Sequence, residues 1–193
     1  MRIIKAIKSA FGSISFTCKN LLKLRSTNSV KPTNIGEIFI RGMESSDEKQ
    51  VLEIYHQLNG AAQFSCSRRW LYRLAGSKLM LVAVKKEMTG EKIVGMNMYY
   101  LNKRDFTDDS IHEGFIGVLP EMGGLGIATN MRNIAKKHFL ENGFKGISTR
   151  ISLSNLPSLK SAEKIGFKPV EKYLDVVTKE ERYYMICALE RNQ

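Results

Sequence analysis

The sequence predicts an α/β (α+β) domain built on a mixed, mostly antiparallel central sheet with helices on both faces. Three observations lead to that class. Ile111 to Asn130, IHEGFIGVLPEMGGLGIATN, reads as a strand, a proline turn, a glycine-rich loop and the start of a helix. From Ile35 onward, runs of strand and helix periodicity follow one another in the order β-α-α-β-β-β-α-β-α-β-β. A chain of 193 residues with ordinary globular composition has the length of one domain with a real core.

Residues 1–34 read as an appendage to that domain, which spans residues 35–193. At about 100° per residue, Ile3, Ile4, Ile7, Ala10, Phe11 and Ile14 fall on one side of a helix, with Arg2, Lys5 and Lys8 largely off it. Such a basic amphipathic segment, residues 2–14, suits an anionic membrane surface or a partner contact. It equally suits a targeting role or docking on its own domain. No small-residue cleavage site follows a long apolar core, which argues against a secretory signal. STNSVKPTN, residues 26–34, is polar, contains a proline and reads as a linker.

Ile35 to Met43 alternates around Ile38 and Ile40 and is the expected first strand. Ser45-Ser46-Asp47-Glu48 forms a capping box that opens a helix with Val51, Leu52, Tyr55 and Leu58 as its stripe, ended by Gly60. Ser67 to Leu74 is a short second helix that stops near Gly76. Lys78–Lys86 and Lys92–Leu101 make a hairpin across Met88-Thr89-Gly90-Glu91. The strand from Ile111 ends at Leu119, because Pro120 cannot donate to a ladder. Ile127, Met131, Ile134, Ala135 and Phe139 then mark a helix that runs to Glu141 and closes at Asn142-Gly143. Gly146–Ser152 is the next strand. Leu156, Leu159, Ala162 and Ile165 mark another helix, and Phe167–Val177 with Tyr183–Leu189 close the sheet.

The glycine loop is the chemical centre. Gly123, Gly124 and Gly126 let the backbone take φ > 0 and approach a ligand, and the helix that follows turns its unpaired N–H groups toward the loop. Amides at a helix N-terminus, backed by the positive end of the dipole, hold phosphate without a basic side chain. A dinucleotide fingerprint starting at Gly124 fits poorly, since its third glycine falls on Thr129 and no βαβ unit precedes it.

Val118-Leu119-Pro120 leading into Gly123-Gly124-Leu125-Gly126-Ile127-Ala128 resembles motif A of the GNAT acyltransferases. Asn155-Leu156-Pro157-Ser158 through Glu163-Lys164-Ile165-Gly166-Phe167 resembles that family's downstream segment. The resemblance covers roughly residues 35–190 and implies the GNAT fold. It also implies a coenzyme A pyrophosphate on the backbone of Gly123, Gly124, Gly126, Ile127, Ala128 and Thr129, a pantetheine arm along Ile116 and Val118, and Asn155 against that arm. Two positions depart from the pattern. Gly123 stands where the family has Arg or Gln, so only backbone contacts carry over there. Ala162 stands where many members carry the tyrosine that protonates the leaving thiolate.

Acyl transfer to an amine requires a neutral nucleophile, and lysine-type amines have a reference pKa of about 10.4, so a base is wanted. Glu113, just upstream of Ile116, resembles the strand glutamate that serves as base in some members; as a plain residue it is a solvated or ion-paired strand carboxylate. His112 is its substitute, on the opposite side of the strand. A thiol of pKa about 8.5 can leave without help, and Ser158, Ser161 or Tyr173 could supply a proton. Phe64, Trp70, Tyr72, Tyr99 and Tyr100 are candidates for an acceptor pocket or for core.

The resulting expectation is an acetyl-CoA-dependent N-acetyltransferase that moves an acetyl group to a primary amine by direct attack in a ternary complex. Two alternatives stand beside it. One uses a long-chain acyl-CoA or acyl-carrier donor at a membrane surface; the other is a non-catalytic acyl-CoA-binding module. Cys18, Cys66 and Cys187 are widely spaced, and His56, His112 and His138 are scattered, so neither a disulfide framework nor a metal site is expected. With no apolar run of bilayer length, the expected location is cytoplasmic, with peripheral membrane contact through the N-terminal segment as the variant. The formal charge is +11, but seven basic residues precede the first acid, Glu37, which leaves +4 for the rest. That distribution, with little aromatic interleaving, argues against a nucleic-acid role.

Overall fold

The computed structural model describes residues 2–88 and 90–190, with side chains from residue 12 onward. It divides into two compact units, Met1–Val94 and Gly95–Gln193. In the first, α1 (Arg2–Lys23) leads to β1 (Thr33–Ile35), β2 (Ile38–Gly42), α2 (Glu48–Leu58), α3 (Cys66–Leu79), β3 (Met80–Glu87) and the start of β4 (Gly90–Tyr100). The expected helix at the N-terminus is present, while the apolar set Ile3, Ile4, Ile7, Ala10 and Phe11 and the basic Arg2, Lys5 and Lys8 lie outside the described side chains. Residues 26–34 are anchored at points: Thr27 and Val30 are buried, the Val30 N–H donates to Ser77 O at 2.8 Å, and Thr33–Ile35 pairs with β2, while the other residues of the segment are exposed.

Three boundaries differ from the sequence expectation. The run from Ile35 to Met43 is two short strands, because a turn at Gly36 folds β1 back antiparallel on β2. The capping box before α2 uses Glu44 and Asp47 around a 3-10 turn, Ser45–Asp47, rather than Ser45 and Glu48. There the Asp47 carboxylate is buried, accepting from the Glu44 N–H and from Arg41 Nη1 at 2.6 Å, so tertiary pairing overrides the local motif. The second helix does not stop at Gly76; it runs through a kink at Ala75 to Leu79. The expected hairpin joins β3 to β4, and Thr89 in its turn lies outside the described residues.

The second unit contains the rest of β4, then α4 (Lys103–Asp108), β5 (Ser110–Val118), α5 (Ile127–Glu141), β6 (Gly146–Ser152), α6 (Leu156–Lys164), β7 (Lys168–Leu174) and β8 (Glu181–Ala188). Strand order is β1-β2-β3-β4 in the first unit and β4-β5-β6-β8-β7 in the second, with β5–β6 parallel and the other described pairs antiparallel. The helix α4 is absent from the sequence reading. Its signal is the reciprocal cap of Asn102 and Asp105, three residues apart. Of the expected α5 stripe, Ile127, Met131, Ala135 and Phe139 are buried and Ile134 is half-buried. Each buried member contributes about 1.5–3 kcal/mol by burial except Ala135, which is smaller. Asn142 and Gly143, the latter at φ 82°, end the helix.

Candidate active site

The β5–β6 ladder pairs Ser110, Ile111, His112 and Glu113 with Gly146, Ile147, Ser148 and Thr149, and there it stops. Both strands continue, β5 to Val118 and β6 to Ser152, so from Phe115 onward β5 has no strand partner on its β6 side among the described residues. The opening beyond the ladder is therefore a slot with the β5 backbone along one wall. Ile116 and Val118 line that wall, half-buried and paired on their other edge with Asn97 and Gly95 of β4.

Gly114 sits at the apex of the slot. The β4–β5 register shifts between Met98 and Tyr99, whose partners are Phe115 and Glu113, so Gly114 is the extra residue of a bulge. It is exposed, and a Cβ there would run into the Tyr100 ring. Only glycine lets the strand pass that aromatic side chain.

The slot leads to the glycine loop. Pro120–Met122 is a 3-10 turn, Gly123 is extended, and Gly124 and Gly126 have φ of 77° and 73°. Gly126 is the N-cap residue of α5 and offers no side chain to the helix, and no acidic residue stands in the first turn. Ile127, Ala128 and Thr129 thus present main-chain N–H groups at the positive end of the α5 dipole. This is an anion-binding arrangement made of backbone. The exposed Leu125 lies between the two left-handed glycines.

Glu113 is buried and faces α5. Arg132 Nη2 donates to its Oε1 at 2.7 Å and Arg132 Nε to its Oε2 at 3.0 Å, with the two side chains 1% and 2% exposed. Asn97 Nδ2 and the Tyr99 hydroxyl also donate to Oε2, at 3.2 and 3.3 Å, and the Thr149 hydroxyl reaches Oε1 at 3.4 Å. Burial alone would lower the Arg132 pKa, but the Glu113 charge and hydrogen bonds outweigh it and hold the guanidinium protonated above its ordinary range. Burial, then the Glu113 charge, raises the Tyr99 phenol well above its ordinary value. Arg132 also donates to Ser158 O at 3.2 Å and to Ser158 Oγ at 3.3 Å, which ties β5 through α5 to α6.

Asn155 is the N-cap of α6, its side chain accepting from the Ser158 N–H at 3.2 Å, and it is exposed. Ser161 Oγ lies 3.4 Å from Thr129 Oγ1. Tyr173 is on β7, where burial raises its phenol against the opposing charges of Arg150 and Arg182. Ala162, at the position of the family tyrosine, is fully buried.

His112 points away from Glu113, as strand alternation requires, and faces α4 and β8. Its Nδ1 lies 2.7 Å from Ser148 Oγ, and Ser148 Oγ donates to Asp105 Oδ1 at 2.8 Å. The aromatic candidates divide: Tyr72 and Tyr99 are core, Phe64 meets Tyr55 and Tyr72 in tilted contacts, and Trp70 is 59% exposed. The Cys187 thiol is directed at the carbonyls of Ile165 and Ala188, and Cys18 and Cys66 are exposed. No metal-ligating group of three residues occurs among the described residues, and no described helix is long and apolar enough to cross a membrane.

The strand that carries Ile116 and Val118, the glycine loop, the helix from Ile127 and Asn155 at the start of α6 stand where the sequence reading puts them, while the slot and Gly114 are absent from that reading. Arg132, Asp105 and Ser148 do not appear in it. Arg132 carried a faint signal, a basic residue beside Met131 on the buried side of α5; Asp105 shows in sequence only as the reciprocal cap of α4, and its meeting with Ser148 depends on where α4 settles.

Residues 48–167 match the family model for the acetyltransferase (GNAT) family. No curated protein matches the chain. Among solved structures, a chain of the NatC complex bound to Gag peptide and CoA superimposes with a TM-score of 0.69 at 16% identity, covering 80% of this chain and 99% of that one. The ribosomal-protein-S5-alanine acetyltransferase from Vibrio fischeri gives 0.68 at 18% identity, covering 83% and 97%. A putative acetyltransferase from Salmonella typhimurium with its cofactor acetyl-CoA gives 0.63 at 17% identity, covering 84% and 96%. At these identities the likeness is one of fold.

Proposed function

Because the chain belongs to the GNAT acetyltransferase family, we propose that it moves the acetyl group of acetyl-CoA to a primary amine by direct attack in a ternary complex. The observation that carries this reading is the slot between β5 and β6 opening toward the uncapped N-terminus of α5. The pyrophosphate of coenzyme A binds on the amides from Gly124 to Thr129, where two left-handed glycines bring the backbone to the anion. The pantetheine lies along Ile116 and Val118, adding its amides to the β5 edge beyond the β5–β6 ladder. Asn155 contributes at the α6 side, where it already caps the helix.

In this reading Glu113 positions rather than deprotonates. Its carboxylate is committed to Arg132, Asn97 and Tyr99, and through Arg132 it fixes Ser158 and the α6 wall of the slot. A base must come within reach of the amine proton, and a carboxylate held by a buried guanidinium is poorly placed for that. Support for the ternary-complex route comes from Cys187, whose buried thiol points at carbonyl groups and pairs with no imidazole among the described residues. Residues 1–34 serve as a basic contact segment, for an anionic membrane surface or a partner, ahead of an acetyltransferase domain that begins at residue 35.

Calorimetric titration with acetyl-CoA tests the assignment, comparing the wild type with Gly126→Asp. The substitution places a side chain at φ 73° and a carboxylate on the anion site, so binding should fall by about 100-fold or more. Equal affinity in the two proteins would remove the pyrophosphate from the α5 N-terminus. Titration with palmitoyl-CoA alongside separates the acetyl donor from a long-chain one.

A further inference from the structure

The last pair of the β5–β6 ladder is Glu113 with Thr149, and the β6 wall of the slot begins one residue later, at Arg150. Thr149 turns its hydroxyl to Glu113, on the α5 side of the sheet, while Ser148 turns its own to Asp105, on the α4 side. Strand alternation therefore puts Arg150 on the face turned away from α5. Arg150 and Gly114, on the two walls where the ladder ends, are both exposed.

That face carries arginines in two states. Arg150 pairs across the sheet with Tyr184 of β8, which pairs with Glu171 of β7, and the next row runs from Ser152 through Arg182 to Tyr173. Arg104 of α4 donates to Glu171 Oε2 at 3.2 Å, and its guanidinium lies 4.3 Å from the centre of the Tyr184 ring. Arg182 Nη2 is 3.0 Å from Glu180 Oε2, and its Nε is 3.8 Å from Asp175 Oδ2. Both of these cations are neutralised by carboxylates. The Arg150 side chain has no ion pair or hydrogen bond among the described residues.

The neighbours of Arg150 are short of acceptors as well. Burial raises the phenols of Tyr173 and Tyr184, and the Arg150 charge works against it at each, so the guanidinium is directed across β8 toward β7. The Tyr173 hydroxyl is buried and makes no hydrogen bond, and Arg182 Nε makes none either. An unpaired guanidinium beside such donors selects an anionic oxygen group, and its planar fork suits a carboxylate or a phosphate. The glycine loop with the N-terminus of α5 lies on the other face, so the anion at Arg150 is not the cofactor pyrophosphate.

We propose that Arg150 binds an anionic oxygen group of the acceptor, so that the substrate is an amine that also carries a carboxylate or a phosphate. The proposal rests on the acetyl-transfer reading, which puts the thioester in the slot. An amine that meets the thioester from the face away from α5 lays the rest of its molecule along the β6 wall, and there Arg150 is the cation left to pair.

The test follows coenzyme A release by the full chain with acetyl-CoA and matched amines: β-alanine against β-alaninamide, and O-phosphoethanolamine against ethanolamine. In the wild type kcat/KM for at least one anionic amine should exceed that of its neutral partner by about 10-fold or more. The ratio should fall toward one in Arg150→Gln and recover in part in Arg150→Lys; comparing ratios between proteins cancels the different basicity of the amines. The pair that shows the larger ratio separates carboxylate from phosphate. Equal kcat/KM within both pairs, or a ratio that survives in Arg150→Gln, would overturn the proposal. Arginine Nε–H spectra of the coenzyme A-saturated protein give a readout without turnover: the signal missing from Arg150→Lys should shift with an anionic amine and stay with the neutral ones. No shift with either anion overturns the proposal, as does a loss of acetyl-CoA affinity in Arg150→Gln at unchanged Tm, which would give the guanidinium to the cofactor. Failure of acetyl-CoA to bind the wild type would instead sink the acetyl-transfer reading, and the acceptor role of Arg150 with it.

Discussion

Arg132 on α5 holds Glu113 on β5 through two parallel contacts, Nη2 to Oε1 at 2.7 Å and Nε to Oε2 at 3.0 Å, inside the unit that carries the slot. The pair joins three elements, since the same guanidinium reaches Ser158 at the start of α6. Removing one partner leaves the other buried and uncompensated. Arg132→Ala should cost about 3–5 kcal/mol in urea unfolding, while the double change Glu113→Leu with Arg132→Met should cost distinctly less, because both charges go together. A double change as costly as the single one would show that the pair itself, and not the orphaned charge, carries the stability.

Gly114 offers a prediction at the slot apex. In Gly114→Ala the methyl group meets the Tyr100 ring, so the ring or the strand must shift. Overpacking of this kind costs about 1–3 kcal/mol. The variant should lose stability and acetyl-CoA affinity together, whereas Gly143→Ala, at a left-handed position on the far end of α5, should lose stability alone. Thermal unfolding and calorimetry on the same samples separate the two, and undiminished acetyl-CoA binding in Gly114→Ala would remove the apex from the cofactor path.

The extent to which the site could be read from sequence follows its physics. Pro120, the left-handed glycines and the apolar stripe of α5 are local signals, and the strand, the loop and the helix from Ile127 to Glu141 stand where those residues place them. Asn155 as an N-cap is likewise local. The ion pair at Glu113 is not, because its partner lies 19 positions later on a helix whose rotation is set by packing. The chain from Asp105 to His112 is still less local. It needs a six-residue helix, α4, that periodicity over so short a run cannot distinguish from a loop. Near Ser45 a local motif misled, since buried Arg41 captures Asp47 and moves the capping box by one residue.

Cysteine reactivity gives an independent check on burial. The Cys187 thiol is packed beneath α5, and burial raises its pKa, with the Lys136 charge opposing. A raised thiol pKa means less thiolate at a given pH, so both access and chemistry protect it. With a maleimide at neutral pH, Cys18 and Cys66 should label in the native protein, and Cys187 should label only after urea is added. Rapid native labelling of Cys187, mapped by peptide mass, would mean that the end of β8 opens readily.

The turn after β7 carries a pH dependence whose sign is fixed by its hydrogen bonds. Asp175 accepts from the Thr178 and Val177 N–H groups, at 3.0 and 2.9 Å, and these bonds hold its carboxyl below its ordinary value, with Arg182 adding to the effect. A carboxylate with a depressed folded-state pKa contributes order above its ordinary value of 3.8 and loses it as the pH falls through the lowered value. The turn should therefore stay formed at pH 5 and loosen well into the acid range. The amide proton shifts of Val177 and Thr178 should titrate there together, while those of the β6–β8 ladder do not. In Asp175→Asn the transition should vanish. Should the two amides keep the wild-type titration in that variant, another carboxyl, with Glu180 the nearest charged neighbour through Arg182, would be controlling the turn.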